Sequence, residues 1–299
     1  MPIVFSPRYD ISFMGLEKLH PFDTTKYGKI YRHLVKMGIP RSVFHTPTKE
    51  YLASLKSSRV VAEIAELAPL SLLPNGFLQW RLLLPMKYAA GGTMLGAELA
   101  LKHGWSINLS GGYHHAKAES GGGFCFFADI PMAVHRLRKD NPAMTFLIVD
   151  LDVHQGNGYE SIFQDDPSIH IFDVYNRLNY PADEEVKRYI DFNFPVEPGI
   201  RDKEYLALIE RELNAAVRQT QPDILIYLAG TDIFEEDPLG GMNISEQGII
   251  RRDEMVFQVA LDNQVPILMV LSGGYSTKSA DIVGKSLENI LRNVIRLHV

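Results

Sequence analysis

The stretch Thr145-Phe-Leu-Ile-Val-Asp-Leu-Asp-Val-His-Gln-Gly-Asn-Gly158 decides how the rest of the chain is read. Phe146 to Val149 is a short apolar run, the pattern of a strand buried on both faces. It leads into Asp150, Asp152 and His154, and side chains two apart on extended backbone point to one face. Gly156, Asn157 and Gly158 supply the turn that follows. Three metal-competent side chains lined up where a strand should end suit a borderline divalent ion such as zinc. Taken singly, each has a plainer use: a strand-end Asp caps a helix, and an isolated His is a satisfied polar group. The rest of the chain has to decide.

Working outward, the same pattern recurs. Trp105–Leu109 is an apolar strand ending in Ser110-Gly-Gly-Tyr-His-His115, and Ile169–Phe172 ends in Asp173-Val-Tyr-Asn-Arg177. Ile224–Ala229 ends in Gly230-Thr-Asp232, and Val265–Leu271 ends in Ser272-Gly-Gly-Tyr275. Ile3–Phe5 is a candidate first strand. Helical spacing is found over Ile130–Arg138, Tyr205–Thr220 and Gln247–Asp262, and upstream over Lys26–Met37, Thr48–Leu55, Val60–Leu67 and Leu83–Leu101. Asp23 or Thr24 is placed to cap the first helix, and Pro69–Gly76 reads as a leucine-rich loop. Gly91 and Gly92 permit close packing or a break. Strands alternating with helices predict an α/β fold, a mainly parallel sheet with helices on both faces. Ligands in such sheets bind beyond the carboxyl ends of the strands, where the polar clusters lie. No repeat, low-complexity tract or linker interrupts the chain, so residues 1–299 are expected to form a single domain.

Bulk properties narrow the function class. The chain has 299 residues, 46% hydrophobic and 22% charged, with a net charge of −6. That charge argues against nucleic acid as a general partner. The one cysteine, Cys125, excludes an intramolecular disulfide and fits a reducing compartment. The first residues lack the basic start and apolar core of a signal peptide. Leu70–Leu101, the most apolar region, is broken by Arg81, Lys87, prolines and glycines and cannot span a membrane. An intracellular, cytoplasmic protein is expected.

The strand ends suggest a division of labour. Asp152, His154 and Asp232 would hold an ion with an open position, the pattern of catalytic zinc sites. His114 and His115 would serve as a general base and an electrostatic partner, oriented by Asp150 and Asn157. Tyr275 would donate to a developing oxyanion. The bland alternatives are two solvated histidines in a loop, Asp232 as a helix cap and Tyr275 packed in a glycine turn.

Ser110-Gly-Gly-Tyr-His-His115, Gly121-Gly-Gly-Phe-Cys125, Asp150–Gly158, Gly230-Thr-Asp232 and Ser272-Gly-Gly-Tyr275 together resemble, in order and spacing, the motif series of the zinc-dependent histone deacetylase family. Gln155 and Asn157, with Asp173–Arg177, are most similar to the class IV branch. The resemblance runs from His20 nearly to the C-terminus and implies an arginase/deacetylase-like fold. It implies Asp152, His154 and Asp232 as zinc ligands, His115 as general base, His114 as charge stabiliser and Tyr275 as the group polarising the substrate carbonyl. Asp150 would pair with His114 and Asn157 with His115. Most of the family has an aspartate where Asn157 stands, so His115 is expected to titrate lower here. Gly123, Phe124 and Tyr180 match walls of a narrow acyl-lysine tunnel. A potassium ion is implied beside the site, near Asp150, Asp152, His154, Asp173 and Val174. The family's acidic substrate clamp finds no counterpart in Leu70–Phe77.

The resulting expectation is a zinc-dependent amidohydrolase removing acyl groups, acetyl or long-chain fatty acyl, from lysine of a protein or peptide by metal-activated water. The class IV resemblance favours the long chain, and Leu70–Leu84 offers apolar surface to line it. An acetylpolyamine or other small-amide hydrolase is an alternative, as is a catalytically weak acyl-lysine binding protein. A two-metal ureohydrolase is disfavoured, because Gly156 stands where its second metal needs an Asp. Cys125, between Phe124 and Phe126, reads as a buried thiol rather than a nucleophile. Val283-Gly-Lys-Ser286 lacks the first glycine of a phosphate loop, with Ser279 in its place.

Overall fold

The computed structural model describes residues 1–12, 22–53, 55 and 75–296. Among these residues, eight strands form one all-parallel sheet: β1 (Ile3–Val4), β2 (Phe44–His45), β3 (Trp105–Asn108), β4 (Phe146–Asp150), β5 (Ile169–Asn176), β6 (Phe192–Val196), β7 (Ile224–Leu228) and β8 (Ile267–Val270). Their order across the sheet is β2-β1-β3-β8-β7-β4-β5-β6. The single-domain α/β fold expected from the sequence is observed.

Strand side chains alternate between two apolar layers, as the two-residue repeat requires. Leu147, Val149, Leu225, Tyr227, Ile267 and Met269 pack with helices Lys26–Lys36, Asp202–Thr220, Glu246–Asp262 and Ser279–Asn289. Phe146, Ile148, Ile224, Ile226, Leu268 and Val270 pack with Leu84–His103 and Asp129–Arg138 on the other face. Helices on both faces explain why β7 and β8 are apolar throughout and β4 is apolar up to its last residue, Asp150.

Several local expectations change. β5 continues through Asp173 to Asn176 instead of ending at Phe172, because Asp173 is buried and accepts the Gly156 N–H at 3.0 Å. Neither Asp23 nor Thr24 caps the first helix. Thr25 occupies that position without a side-chain cap, and the Asp23 carboxylate is engaged by Thr25 and Lys29. Asn75 and Gly76, read as loop, begin a helical stretch that runs through Leu78 and a π-turn (Gln79–Leu83) into Leu84–His103. Gly91 and Gly92 do not break that helix. Gly92 lets it lie against Asn108, whose Oδ1 a Cβ would meet at 2.8 Å. The Val60–Leu67 helix, the 69–74 part of the leucine-rich loop, His20 and Ser54 lie outside the described residues. Leu78, Leu82 and Leu83, expected to line an acyl chain, are buried in the core. Val283–Ser286 lies inside the helix Ser279–Asn289. Among the described residues no helix is long and apolar enough to cross a membrane.

Candidate active site

Every strand runs the same way, so all carboxyl ends open on one side of the sheet. β4 lies between β7 and β5, with Asp150 opposite Leu228 and Asp173. The segments carrying Asp152 and Asp232 therefore leave adjacent strands. β4 itself stops at Asp150, so Asp152 and His154 are not aligned by strand pleating. Asp150 Oδ1 accepts the Asp152 N–H at 3.1 Å, and Asp152 Oδ1 accepts the His154 N–H at 3.0 Å. These successive carboxylate-to-amide turns fix the three side chains.

Asp152, His154 and Asp232 each present a ligand atom within 4.8 Å of the others, and all three are buried. His154 Nδ1 lies 3.0 Å from Asp152 Oδ1 and 3.3 Å from Asp232 Oδ2. Asp232 Oδ1 accepts the Val153 N–H, while its buried Oδ2 has no hydrogen-bond partner among the described residues. A buried carboxylate oxygen left this way is costly without a cation. His154 is pushed up to about 10: burial opposes its charge, but Asp152 and Asp232 outweigh burial. Burial and the neighbouring Asp152 together raise Asp232. The pair of acids thus calls for positive charge between them and the imidazole, and the donor set fits a divalent ion. His114, His115 and His154 also satisfy the distance, but they offer no anionic ligand to balance one.

His114 and His115, their rings tilted 49° to each other with centroids 4.0 Å apart, are buried rather than solvated. His114 Nδ1 meets Asp150 Oδ2 at 2.8 Å, and His115 Nδ1 meets Asn157 Oδ1 at 2.9 Å. The two rings diverge in basicity. Burial opposes charge on His114, but Asp150 and Asp152 raise it to about 9. His115 is driven well below its ordinary value by burial first and by the neighbouring His114 second. The low basicity expected from Asn157 alone therefore has larger causes.

Tyr275 completes the cluster, its ring 6.1 Å from that of His154. Burial, then the charges of Asp232 and Asp152, keep its phenol protonated far above the ordinary range. Tyr180 lies edge-on to His115 at 4.9 Å. Phe124 is half-exposed, 6.5 Å from Tyr275. Gly123, with φ +48°, runs so close to His115 that any Cβ would overlap the imidazole. All eleven residues proposed from the sequence thus fall in one connected cluster of contacts.

Other participants were not legible. Lys26 is buried and donates to the carbonyls of Ser272 and Gly273 at 3.2 and 3.1 Å. Asp237 accepts the N–H groups of Tyr275 and Ser276 at 2.7 and 2.9 Å. Tyr159 donates to Asp150 Oδ2 at 2.9 Å. Arg252, fully buried, donates from Nη1 to the carbonyls of Leu151 and Gly230. Their charges looked like ordinary helix and loop polarity, because nothing in local sequence reports which charged side chain becomes buried.

Comparison with known proteins agrees with this geometry. The Histone deacetylase domain family matches residues 28–292. Histone deacetylase 2 of Arabidopsis thaliana is 44% identical, over 97% of this chain and 78% of that protein. An uncharacterized protein of Picosynechococcus sp. is 32% identical over 94% of each chain. The crystal structure of the HDA15 HD domain shares the fold, with a TM-score of 0.77 over 97% of this chain and 88% of that one at 23% identity. Sequence and fold together place this chain in the histone deacetylase domain family.

Proposed function

We propose that the protein is a zinc-dependent lysine deacylase of the class IV type, spanning residues 1–299 as one unit. The observation that carries this reading is the juxtaposition of the Asp152/His154/Asp232 set with two buried histidines, His114 held by Asp150 and His115 by Asn157. Zinc held by those three residues would supply Lewis acidity, lowering the pKa of water and polarising an amide carbonyl.

The remaining work falls to the chain's own groups. His115 is neutral, with Nδ1 held by Asn157, so Nε2 is the atom that accepts a proton. His114 stays protonated against Asp150 and keeps positive charge beside it, Nε2 lying 3.7 Å from Asp152 Oδ1. Tyr275 keeps its phenol proton and donates to the carbonyl oxygen as negative charge develops there. Gly123, Phe124 and Tyr180 wall a passage for an unbranched side chain, which suits acyl-lysine of a protein or peptide. Backbone oxygens of Asp150, Asp152 and His154, with Asp173 and Val174, are proposed to hold potassium. An intracellular, cytoplasmic setting is part of the same reading.

Preference for a long fatty acyl chain over acetyl rests on the class IV resemblance, since Leu78, Leu82 and Leu83 belong to the core. The test is a panel of acetyl-lysine, myristoyl-lysine and acetylpolyamine substrates, with zinc measured in the same preparation. Turnover of the myristoyl peptide by protein holding one zinc supports the reading. Turnover of the polyamine alone replaces it with small-amide hydrolysis.

A further inference from the structure

Behind His115 the hydrogen bonds continue past Asn157. Asn157 Nδ2 donates to Asp183 Oδ2 at 3.2 Å, and Lys117 Nζ donates to the same oxygen at 3.1 Å. The backbone of residue 183 is held separately. Its N–H donates to Gln155 Oε1 at 3.1 Å, and Gln155 Nε2 donates to its carbonyl at 3.1 Å. This loop also carries Tyr180, which lies against His115.

A primary amide is ambiguous as a partner for imidazole. Its oxygen accepts, its nitrogen donates, and a neutral ring has one nitrogen of each kind. With Asn157 Oδ1 facing His115, the ring proton sits on Nδ1 and Nε2 keeps its lone pair. With the amide reversed, Nδ1 becomes the acceptor, the proton moves to Nε2, and that atom cannot act as a base. The Asn157–His115 pair alone permits both arrangements. Asp183 removes the choice, because a carboxylate only accepts and so draws the NH2 end of Asn157 to itself. Lys117, which only donates, fixes the other end of the chain.

We infer that Asp183 is a positioning residue, setting the tautomer of His115 through the orientation of the Asn157 amide. The inference rests on His115 being the proton acceptor. Where an aspartate would accept from His115 in either orientation, an asparagine needs this third member.

The experiment uses the zinc-loaded full chain labelled with 15N-histidine, with His115 signals assigned by their loss in His115→Gln. Long-range 1H–15N spectra then report which ring nitrogen carries the proton. Wild type is expected to show Nδ1–H. Asp183→Ala is expected to populate the Nε2–H form and lower kcat about tenfold or more, since a wrong histidine tautomer can cost up to about 10⁴-fold. KM and zinc content stay within about twofold, because the Gln155 bonds to the loop backbone remain. Asp183→Asn keeps an accepting oxygen and most of the activity. Asn157→Asp sets two carboxylates face to face, and adding Asp183→Asn recovers kcat. An unchanged tautomer and kcat in Asp183→Ala overturns the inference, as does a loss confined to KM or an equal loss in Asp183→Asn. Turnover that survives His115→Ala overturns the functional reading beneath it, and the inference with it.

Discussion

At the scale of single residues, the proposed function divides the site between groups that hold an ion and groups that move protons, and substitution tests that division. Asp232→Ala removes the carboxylate whose Oδ2 has no hydrogen-bond partner among the described residues. The purified variant is expected to carry less than about a tenth of the zinc of wild type by elemental analysis, a loss in affinity of at least the size that disturbing even a supporting partner causes. His115→Ala retains zinc and loses about 10²–10⁴-fold in kcat, the usual worth of a positioned base. Tyr275→Phe keeps the ring contact with Phe22 and loses the donor alone. Its kcat should fall about 10²–10³-fold with KM little changed. Zinc-replete Tyr275→Phe with normal kcat would remove the phenol from the mechanism.

The ligand residues and both histidines were legible because glycines and strand ends bracket them. Asp183 was not, since Pro181-Ala-Asp-Glu-Glu185 reads as a solvated acidic loop. Only the folded chain reveals that one of its three acids meets Asn157.

At the scale of elements, the site depends on how two strand ends are tied together from behind. Arg252, on the helix Glu246–Asp262, bonds the carbonyl of Leu151 beside Asp152 and the carbonyl of Gly230 two residues before Asp232. Its Nε donates to Asp253 Oδ1, and Nη2 pairs with the same oxygen by charge without hydrogen-bond geometry. Arg252→Met leaves Asp253 buried without its countercharge and frees both carbonyls. The expected cost is about 3–5 kcal/mol of stability, read as a shift in the urea midpoint. A variant as stable as wild type would show that the clamp is dispensable. The strands themselves were readable where both faces are apolar. β6 alternates regularly but escaped because Pro195 argues against a strand, and it lies at the sheet edge, where proline is tolerated. β2, Phe44–His45, escaped because a half-buried aromatic followed by a histidine makes no apolar run.

At the scale of the molecule, pH acts through groups remote from the chemistry. Asp10 is raised to about 6, by burial first, against the Gly28 N–H that bonds its Oδ1 at 3.0 Å. A carboxyl with a higher pKa folded than unfolded, where about 3.9 applies, costs stability above pH 6. That cost is relieved as pH falls from 6 towards 4. Asp10→Asn keeps the acceptor for Gly28 and removes the charge. Its melting temperature is expected to exceed that of wild type at pH 8, with the difference vanishing near pH 4. A constant difference across that range would mean that Asp10 is not the titrating group.

The uniform direction of the eight strands gives the molecule two rims with separate duties. At the opposite rim, the Thr145 N–H is bonded by Asp223 Oδ2 at 2.8 Å, tying the starts of β4 and β7 far from any reacting atom. Changes there tune how firmly the scaffold holds without touching what it catalyses, while changes at the other rim, the buried Arg252 tie apart, redirect catalysis at less expense to the scaffold. A saturation library scored for both abundance and turnover should therefore split along the length of the strands, which gives a designer two nearly independent dials.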